Sequence, residues 1–181
     1  KINIVEIDRS ANHLLSIKPQ TAGVKLNSRA QIRTIAQKNN SIAAINAGYF
    51  KPQTGVPLGA LVINGEVLTG PIYNRVGIGI IEEKEQTRFV MDKVVMDITI
   101  KSNKSVIKAD NINQPRMLST YTIIYTPHWG KMSPMAPKYG KVAAVKDGRI
   151  TAMSANQIAI PEDGYVISAP ARILDKLALE K

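Results

Sequence analysis

Short apolar stretches, many of them alternating with polar residues, recur along the whole chain, and two-residue turns join two pairs of them. The first turn is Asn64-Gly65 and the second is Asp147-Gly148. Both dipeptides favour the positive φ angles of a type I′ turn, whose twist matches that of two antiparallel strands. Alternation with a period of two places one face of a strand against a core. The pattern therefore predicts β-hairpins at 61–68 and 142–152 in a chain that is mostly strand.

Two segments carry helical rather than strand patterning. In the first, Ser28 and Gln31 have the spacing of a capping box, and an apolar stripe follows them. In the second, at 171–180, the apolar residues share one helical face behind a proline. We expect one helix near 28–39 and one near the C-terminus. Because no repeat, linker or low-complexity run interrupts the sequence, the expected fold is a single α+β unit over 1–181, dominated by hairpins in a mixed sheet.

Composition excludes several classes of protein and site. The chain has 181 residues and no cysteine, so disulfide frameworks, thiolate metal sites and cysteine nucleophiles are excluded. His13 and His128 are the two histidines, which argues against a histidine-rich metal centre. No motif for a nucleotide or other cofactor is present, and we expect neither a metal nor a cofactor. No apolar run reaches the ~18 residues of a transmembrane helix.

The net charge of +10 favours an anionic partner. The basic residues are dispersed, and two Phe, one Trp and six Tyr offer little for base stacking, so nucleic acid is not the expected partner. Arg75 and Arg116 stand apart because each lies in a predicted loop. The guanidinium fork matches a phosphate or carboxylate, which makes both residues candidate anion ligands; surface ion pairs are the alternative.

Two further places carry candidate site residues. The apolar stretch at 42–45 predicts a buried strand, and the glycine-bearing turn after it would deliver Asn46 and Tyr49 to the edge of a sheet. The alternative is a turn whose Asn and Gly only satisfy the backbone. His128 lies beside Trp129 in a proline-rich loop, where binding sites are often built; the alternative, which the pattern favours, is a structural role.

Five segments, in this order along most of the chain, resemble the phosphodiester glycosidase family. They are A-I-N-A-G-Y-F at 44–50, G-A-L-V-I-N-G at 59–65, N-Q-P-R at 113–116, Y-T-P-H-W-G at 125–130 and I-P-E-D-G-Y-V-I at 160–167. Two departures accompany the resemblance. Gln114 replaces the first arginine of the family's N-R-P-R, and the D-G-G-G-S turn of the family's second half does not occur. The resemblance thus implies the N-terminal half of such a domain.

The same resemblance implies hydrolysis of a sugar-1-phosphodiester, with a phosphorylated glycan as the substrate. Because the leaving group is a phosphate monoester, charge stabilisation by arginines and neutral donors would matter more than strong acid catalysis. No catalytic residue can be named, and a catalytic carboxylate would come from the missing half. The candidate substrate-binding residues are Asn46, Tyr49, Arg75, Asn113, Arg116 and His128.

Two functions therefore remain open on the sequence. One is a hydrolase that needs a second half, supplied by more chain or by a second chain. The other is a non-catalytic domain of the same fold that binds anionic glycans or has a structural role. For either function we expect an extracytoplasmic location, secreted or periplasmic, where envelope or exported glycans occur.

Overall fold

The computed structural model describes residues 4–8, 15–83, 86–103 and 105–178, and within them the chain is α+β with far more strand than helix. This confirms the predicted fold class. The elements in chain order are α1 (Ile32–Lys38), β1 (Tyr49–Phe50), β2 (Pro57–Leu58), β3 (Leu61–Ile63), β4 (Glu66–Thr69), β5 (Val76–Glu82), β6 (Thr87–Lys93), β7 (Ile98–Lys101), β8 (Val106–Ala109), β9 (Asn111–Ile112), β10 (Ile123–Tyr125), β11 (Gly140–Lys146), β12 (Arg149–Ser154), β13 (Gly164–Pro170) and α2 (Ala171–Ala178).

A five-stranded sheet in the order β12-β11-β13-β10-β9 forms the centre of the fold. Its pairings are antiparallel except for β9 with β10, which is parallel, so the sheet is mixed as expected. Alternation along β11 sends Val142 and Ala144 to one face and Ala143 and Val145 to the other. All four side chains are buried, because both faces of the sheet are covered.

Different elements cover the two faces. On one face, Leu174 and Leu177 of α2 pack with Ile100 of β7 against the sheet. On the other face, Tyr125 packs edge-on against Trp129, with ring centroids 4.8 Å apart. The second arrangement fixes the loop after β10 to the core, which is the loop that carries His128.

Both predicted hairpin turns are present. Asn64 and Gly65 have φ angles of 52° and 79°, and Asp147 and Gly148 have 51° and 71°. Positive φ at both central positions is what a type I′ turn requires. The strands they join pair antiparallel, β3 with β4 and β11 with β12, and the predicted C-terminal helix is also present as α2.

Two local predictions are wrong. Residues 42–45 form no strand, and Ile42 and Ile45 are 87% and 79% exposed. The apolar composition indicated burial, but no described segment pairs with this stretch or covers it. Helix α1 begins at Ile32 with Gln31 as its N-cap, without a side-chain capping bond, so the capping box from Ser28 does not form. The amide of Ser28 instead closes a turn by donating to the Lys25 carbonyl.

Within the described ranges, neither helix has the length and apolar character needed to cross a membrane. Two further two-stranded sheets, β5 with β6 and β7 with β8, are hairpins whose strands are not hydrogen-bonded to the central sheet. His13, one of the two histidines of the chain, lies outside the described residues.

Candidate functional site

The six candidate site residues fall in different parts of the structure, and two of them come into direct contact. Arg75 precedes β5 and Tyr49 begins β1, and the guanidinium carbon of Arg75 lies 5.1 Å from the centroid of the Tyr49 ring. The same carbon lies 5.6 Å from the centroid of the Tyr73 ring. We call Tyr49, Tyr73 and Arg75 the Arg75 cluster. Asn46 lies exposed three residues before Tyr49.

A tight turn positions Tyr73 beside Arg75. Tyr73 and Asn74 both have left-handed backbones, with φ of 55° and 50°, and the Arg75 amide donates to the Ile72 carbonyl across the turn at 3.3 Å. For a residue other than glycine, the left-handed backbone conformation costs about 1 kcal/mol. Sequence reasoning named Arg75 but missed Tyr73, although the Tyr-Asn pair before Arg75 is a turn signal.

The side chains of the Arg75 cluster are exposed to solvent, and its guanidinium is accessible to a ligand. Tyr49 and Tyr73 are 74% and 66% exposed, and the Arg75 side chain has no ion pair or hydrogen bond to any described residue. Two ring faces hold the guanidinium by cation–π attraction, which leaves its N–H groups free to bind an anion. An exposed tyrosine face also suits the apolar face of a ring-shaped ligand. The cluster can therefore bind a phosphate and an attached ring together.

Asn113 is fully buried and uses its side-chain amide inside the protein. Its Nδ2 donates to the Leu68 carbonyl at 2.8 Å and to Thr126 Oγ1 at 2.7 Å, while its Oδ1 accepts from the Thr126 amide at 2.9 Å. Its φ of 47° is left-handed, which asparagine tolerates. Asn113 therefore joins β4 to the start of the loop that carries His128, and its role as a substrate ligand stays a prediction.

Gln114 is buried beside Asn113 and ties three backbone segments together. Its Nε2 donates to the carbonyls of Pro57, Gly59 and Gly70 at 3.3, 3.1 and 3.1 Å. Its Oε1 has no hydrogen-bond partner among the residues that the structure describes. The residue that interrupts the family-like N-R-P-R motif thus has a structural contact set of its own.

Arg116 is half-buried at the central sheet. Its Nη1 donates to the Tyr121 carbonyl, and its Nη2 donates to both the carbonyl and Oγ of Ser168 at 2.6 Å. Burial lowers the pKa of the Arg116 guanidinium, an effect that Tyr125 and Asp110 oppose. Burial also raises the pKa of the Tyr125 hydroxyl to about 12, and that hydroxyl donates to the Gln114 carbonyl at 3.1 Å. These contacts hold Arg116 to backbone, and its phosphate-binding role remains a prediction.

His128 lies beside a carboxylate that sequence reasoning missed. Its Nε2 is 2.7 Å from Glu66 Oε1, and its Nδ1 is 3.4 Å from the Val24 carbonyl. Lys25 Nζ donates to the Pro127 carbonyl at 2.7 Å, which also holds the loop that carries His128. Glu66 follows the Asn64-Gly65 turn and lies far from His128 in the sequence. Only the folded structure, in which β4 lies beside the loop after β10, brings the two side chains into contact.

Among the residues that the structure describes, no three histidine, cysteine, aspartate or glutamate side chains come together as a metal-binding group. The Arg75 cluster, with its cation and two phenol rings, is chemically suited to anions rather than to metal ions.

Comparisons with known proteins provide one structural likeness. No family model matches the chain, and no curated protein matches it. The chain is similar to a solved structure of a hypothetical protein from Synechocystis, with 28% sequence identity and a TM-score of 0.69. The likeness covers 80% of this chain and 28% of the other, so the chain spans less than a third of that protein's length. The description of the Synechocystis protein states no activity.

Proposed function

We propose that this chain recognises a sugar-1-phosphodiester on an extracytoplasmic glycan and belongs to a phosphodiester glycosidase. The phosphate binds the Arg75 guanidinium, and the sugar ring stacks on Tyr49 or Tyr73. The observation that carries the proposal is the Arg75 cluster, in which an exposed guanidinium, unpaired among the described residues, lies over two exposed tyrosine rings. The net charge of +10 supports it by attracting anionic ligands.

Hydrolysis in this proposal depends on charge stabilisation. The C–O bond between the sugar and the phosphate breaks, water adds to the sugar carbon, and the phosphate monoester leaves as an anion. Arg75 stabilises the charge that develops on the leaving phosphate, because a guanidinium donates two parallel hydrogen bonds to its oxygens. Among the described residues, the side-chain contacts of Arg75 are with the rings of Tyr49 and Tyr73, neither of which is a carboxylate. In this proposal the base that activates water comes from another polypeptide segment.

A second segment or chain that completes the domain is part of the same proposal. Large hydrophobic side chains of the β5–β6 hairpin are exposed, with Val76, Ile78 and Met91 at 64%, 69% and 74%. Ile42 and Ile45 are exposed as well. Contiguous exposed apolar surface is typical of a binding face. The small share of the Synechocystis protein that the chain covers is consistent with additional polypeptide beside this unit.

The alternative is a domain that binds anionic glycans without hydrolysing them. The contacts of Asn113 and Arg116 favour this alternative. Both side chains are hydrogen-bonded to protein groups, so these two candidate ligands stabilise the fold instead of facing a substrate. In this alternative the Arg75 cluster binds the phosphate in the same way, and no second half is needed for function.

Sugar release separates the two functions. The purified chain is incubated with an N-acetylglucosamine-1-phosphodiester, alone and with a polypeptide that carries the proposed second half. We expect binding by the chain alone and free sugar when both polypeptides are present. Binding without release in either mixture would support the non-catalytic alternative. Absence of binding to the phosphodiester in both mixtures would refute both functions.

A further inference from the structure

A cavity of about 300 Å³ lies between the chain segment before Leu26 and the β3–β4 hairpin. Glu66 and His128 line it, and their 2.7 Å contact joins the hairpin to the loop after β10. The amide of Leu26 donates to the His128 carbonyl at 2.8 Å, which holds the third wall in place. Three separate chain segments thus form the cavity, and its volume is that of a small ligand site.

The charge of the cavity differs from that of the whole molecule. The chain has a net charge of +10, yet none of the described residues that line this space is a lysine or an arginine. Glu66 contributes a carboxylate, whose Oε1 faces the imidazole of His128. An anionic ligand would meet the Glu66 carboxylate, and no lysine or arginine among the described lining residues would offset that charge, so the lining disfavours anions.

The remaining lining residues offer neutral hydrogen-bonding groups next to an apolar wall. The side-chain amides of Gln20 and Asn64 have no hydrogen bond to any residue in the described ranges, and each can both donate and accept. Ile63 and Leu68 supply the apolar part of the lining. A ligand with several hydroxyl groups on one side and C–H groups on the other complements such a surface.

His128 fixes the carboxylate in position. Its ring nitrogens face Glu66 Oε1 at 2.7 Å and the Val24 carbonyl at 3.4 Å, so both sides of the imidazole are occupied by protein oxygens. The second oxygen of Glu66, Oε2, has no partner in the part of the chain that the structure describes, and it can accept a hydrogen bond from a ligand. His128 is therefore a positioning residue and Glu66 the ligand-binding residue.

We propose that this cavity binds a neutral polyhydroxylated ligand, an uncharged sugar ring, whose hydroxyl groups donate to Glu66 Oε2 and pair with the amides of Gln20 and Asn64. The site goes beyond the phosphate-binding function assigned to the Arg75 cluster and does not depend on it. Its ligand is neutral, whereas the ligand of the Arg75 cluster is an anion.

The test uses histidine ring signals in solution NMR. The chain has two histidines, so the His13→Gln variant identifies the remaining signal as that of His128. The protein is titrated with methyl glucoside, with N-acetylglucosamine, with the cationic sugar glucosamine and with inorganic phosphate at constant ionic strength and pH. Glu66→Gln removes the carboxylate charge and keeps the shape. Glu162→Gln removes an exposed carboxylate outside the cavity and is the matched control.

We expect one or both neutral sugars to shift the His128 signal saturably, phosphate to leave it unchanged, and Glu66→Gln to weaken the sugar about threefold or more. Glu162→Gln should leave the sugar affinity unchanged. The proposal is overturned if neither neutral sugar moves the His128 signal, if only phosphate or glucosamine moves it, or if Glu66→Gln and Glu162→Gln have the same affinity. The readout is the signal of His128, which lines this cavity, so the outcome does not depend on phosphate binding at the Arg75 cluster.

Discussion

Arg75 and Arg116 illustrate how two arginines with similar sequence contexts acquire different chemistry. Both lie in predicted loops, and both are candidate anion ligands on sequence grounds. The side chain of Arg75 is exposed and contacts two tyrosine rings. The Arg116 guanidinium donates to the Tyr121 carbonyl and to Ser168. The arginine with solvent-facing donors is suited to a ligand, and the arginine with buried acceptors is suited to holding the sheet together.

Replacing Arg116 should therefore affect stability more than phosphate binding. Arg116→Lys cannot reach the Tyr121 and Ser168 acceptors with one planar fork, and leaving buried acceptors unpaired costs about 1–3 kcal/mol. We expect urea denaturation to show a free energy of unfolding about 2 kcal/mol lower, with unchanged affinity for a sugar phosphate. Arg149→Lys, at an exposed strand end, is the control and should change stability by less than ~0.5 kcal/mol. Lost phosphate affinity in Arg116→Lys at unchanged stability would contradict this role.

The buried hydroxyl of Tyr125 predicts a stability change at alkaline pH. Its pKa is raised from 10.0 to about 12 in the folded protein because burial disfavours the phenolate. Between these two values the folded state binds more protons than the unfolded state, so stability falls as pH rises. The contribution is complete below pH about 10 and is lost as the pH rises through about 12. We expect the wild type to lose more stability over this interval than Tyr125→Phe in denaturation series, and parallel losses would contradict the assignment.

The hairpins and α2 show which elements could be predicted from the sequence. The turn chemistry of Asn64-Gly65 and Asp147-Gly148 acts within a few residues, so both hairpins followed from local pattern. The stretch at 42–45 needed a covering partner to become a buried strand, and composition cannot supply one. The contacts of Tyr73 with Arg75 and of Glu66 with His128 were missed for a related reason, because turn geometry and long-range packing create them.

The contribution of helix α2 to stability comes from its packing on the central sheet, and substitutions on the helix can measure it. Leu174 is fully buried in the cluster that includes Ala143 and Val145. Leu174→Ala leaves a cavity, and we expect the free energy of unfolding to drop by about 2–5 kcal/mol in chemical denaturation. Asp175 lies on the same helix and forms a half-exposed ion pair with Lys141 of β11. Asp175→Asn removes this ion pair and should lower the free energy of unfolding by at most about 1 kcal/mol. Equal losses in the two variants would show that α2 does not contribute through its apolar face.

The whole molecule combines a buried central sheet with an uncovered apolar hairpin. Both faces of the central sheet are packed, whereas Ile78 and Met91 pair across β5 and β6 and are 69% and 74% exposed. A stable unit with an exposed apolar face is what we expect of one part of a larger assembly.

Self-association should depend on this hairpin when the chain is isolated. Ile78→Lys places a charge in the exposed apolar face, and we expect sedimentation velocity to show less oligomer than in wild type at the same concentration. The melting temperature should change little, because the Ile78 side chain is mostly exposed. Thr99→Lys adds the same charge at an exposed position of β7 and serves as the control. An equal decrease in both variants would assign the effect to net charge rather than to the hairpin.

The most direct test of the proposed recognition is the affinity of the isolated chain for an N-acetylglucosamine-1-phosphodiester, measured by titration calorimetry. Arg75→Gln removes the guanidinium between the two tyrosine rings, and we expect the dissociation constant to rise about tenfold, or ~1.4 kcal/mol. Arg149→Gln removes an equal charge from an exposed site without aromatic contacts and should leave the constant unchanged. Equal affinity in wild type, Arg75→Gln and Arg149→Gln would contradict the assignment of phosphate binding to the Arg75 cluster.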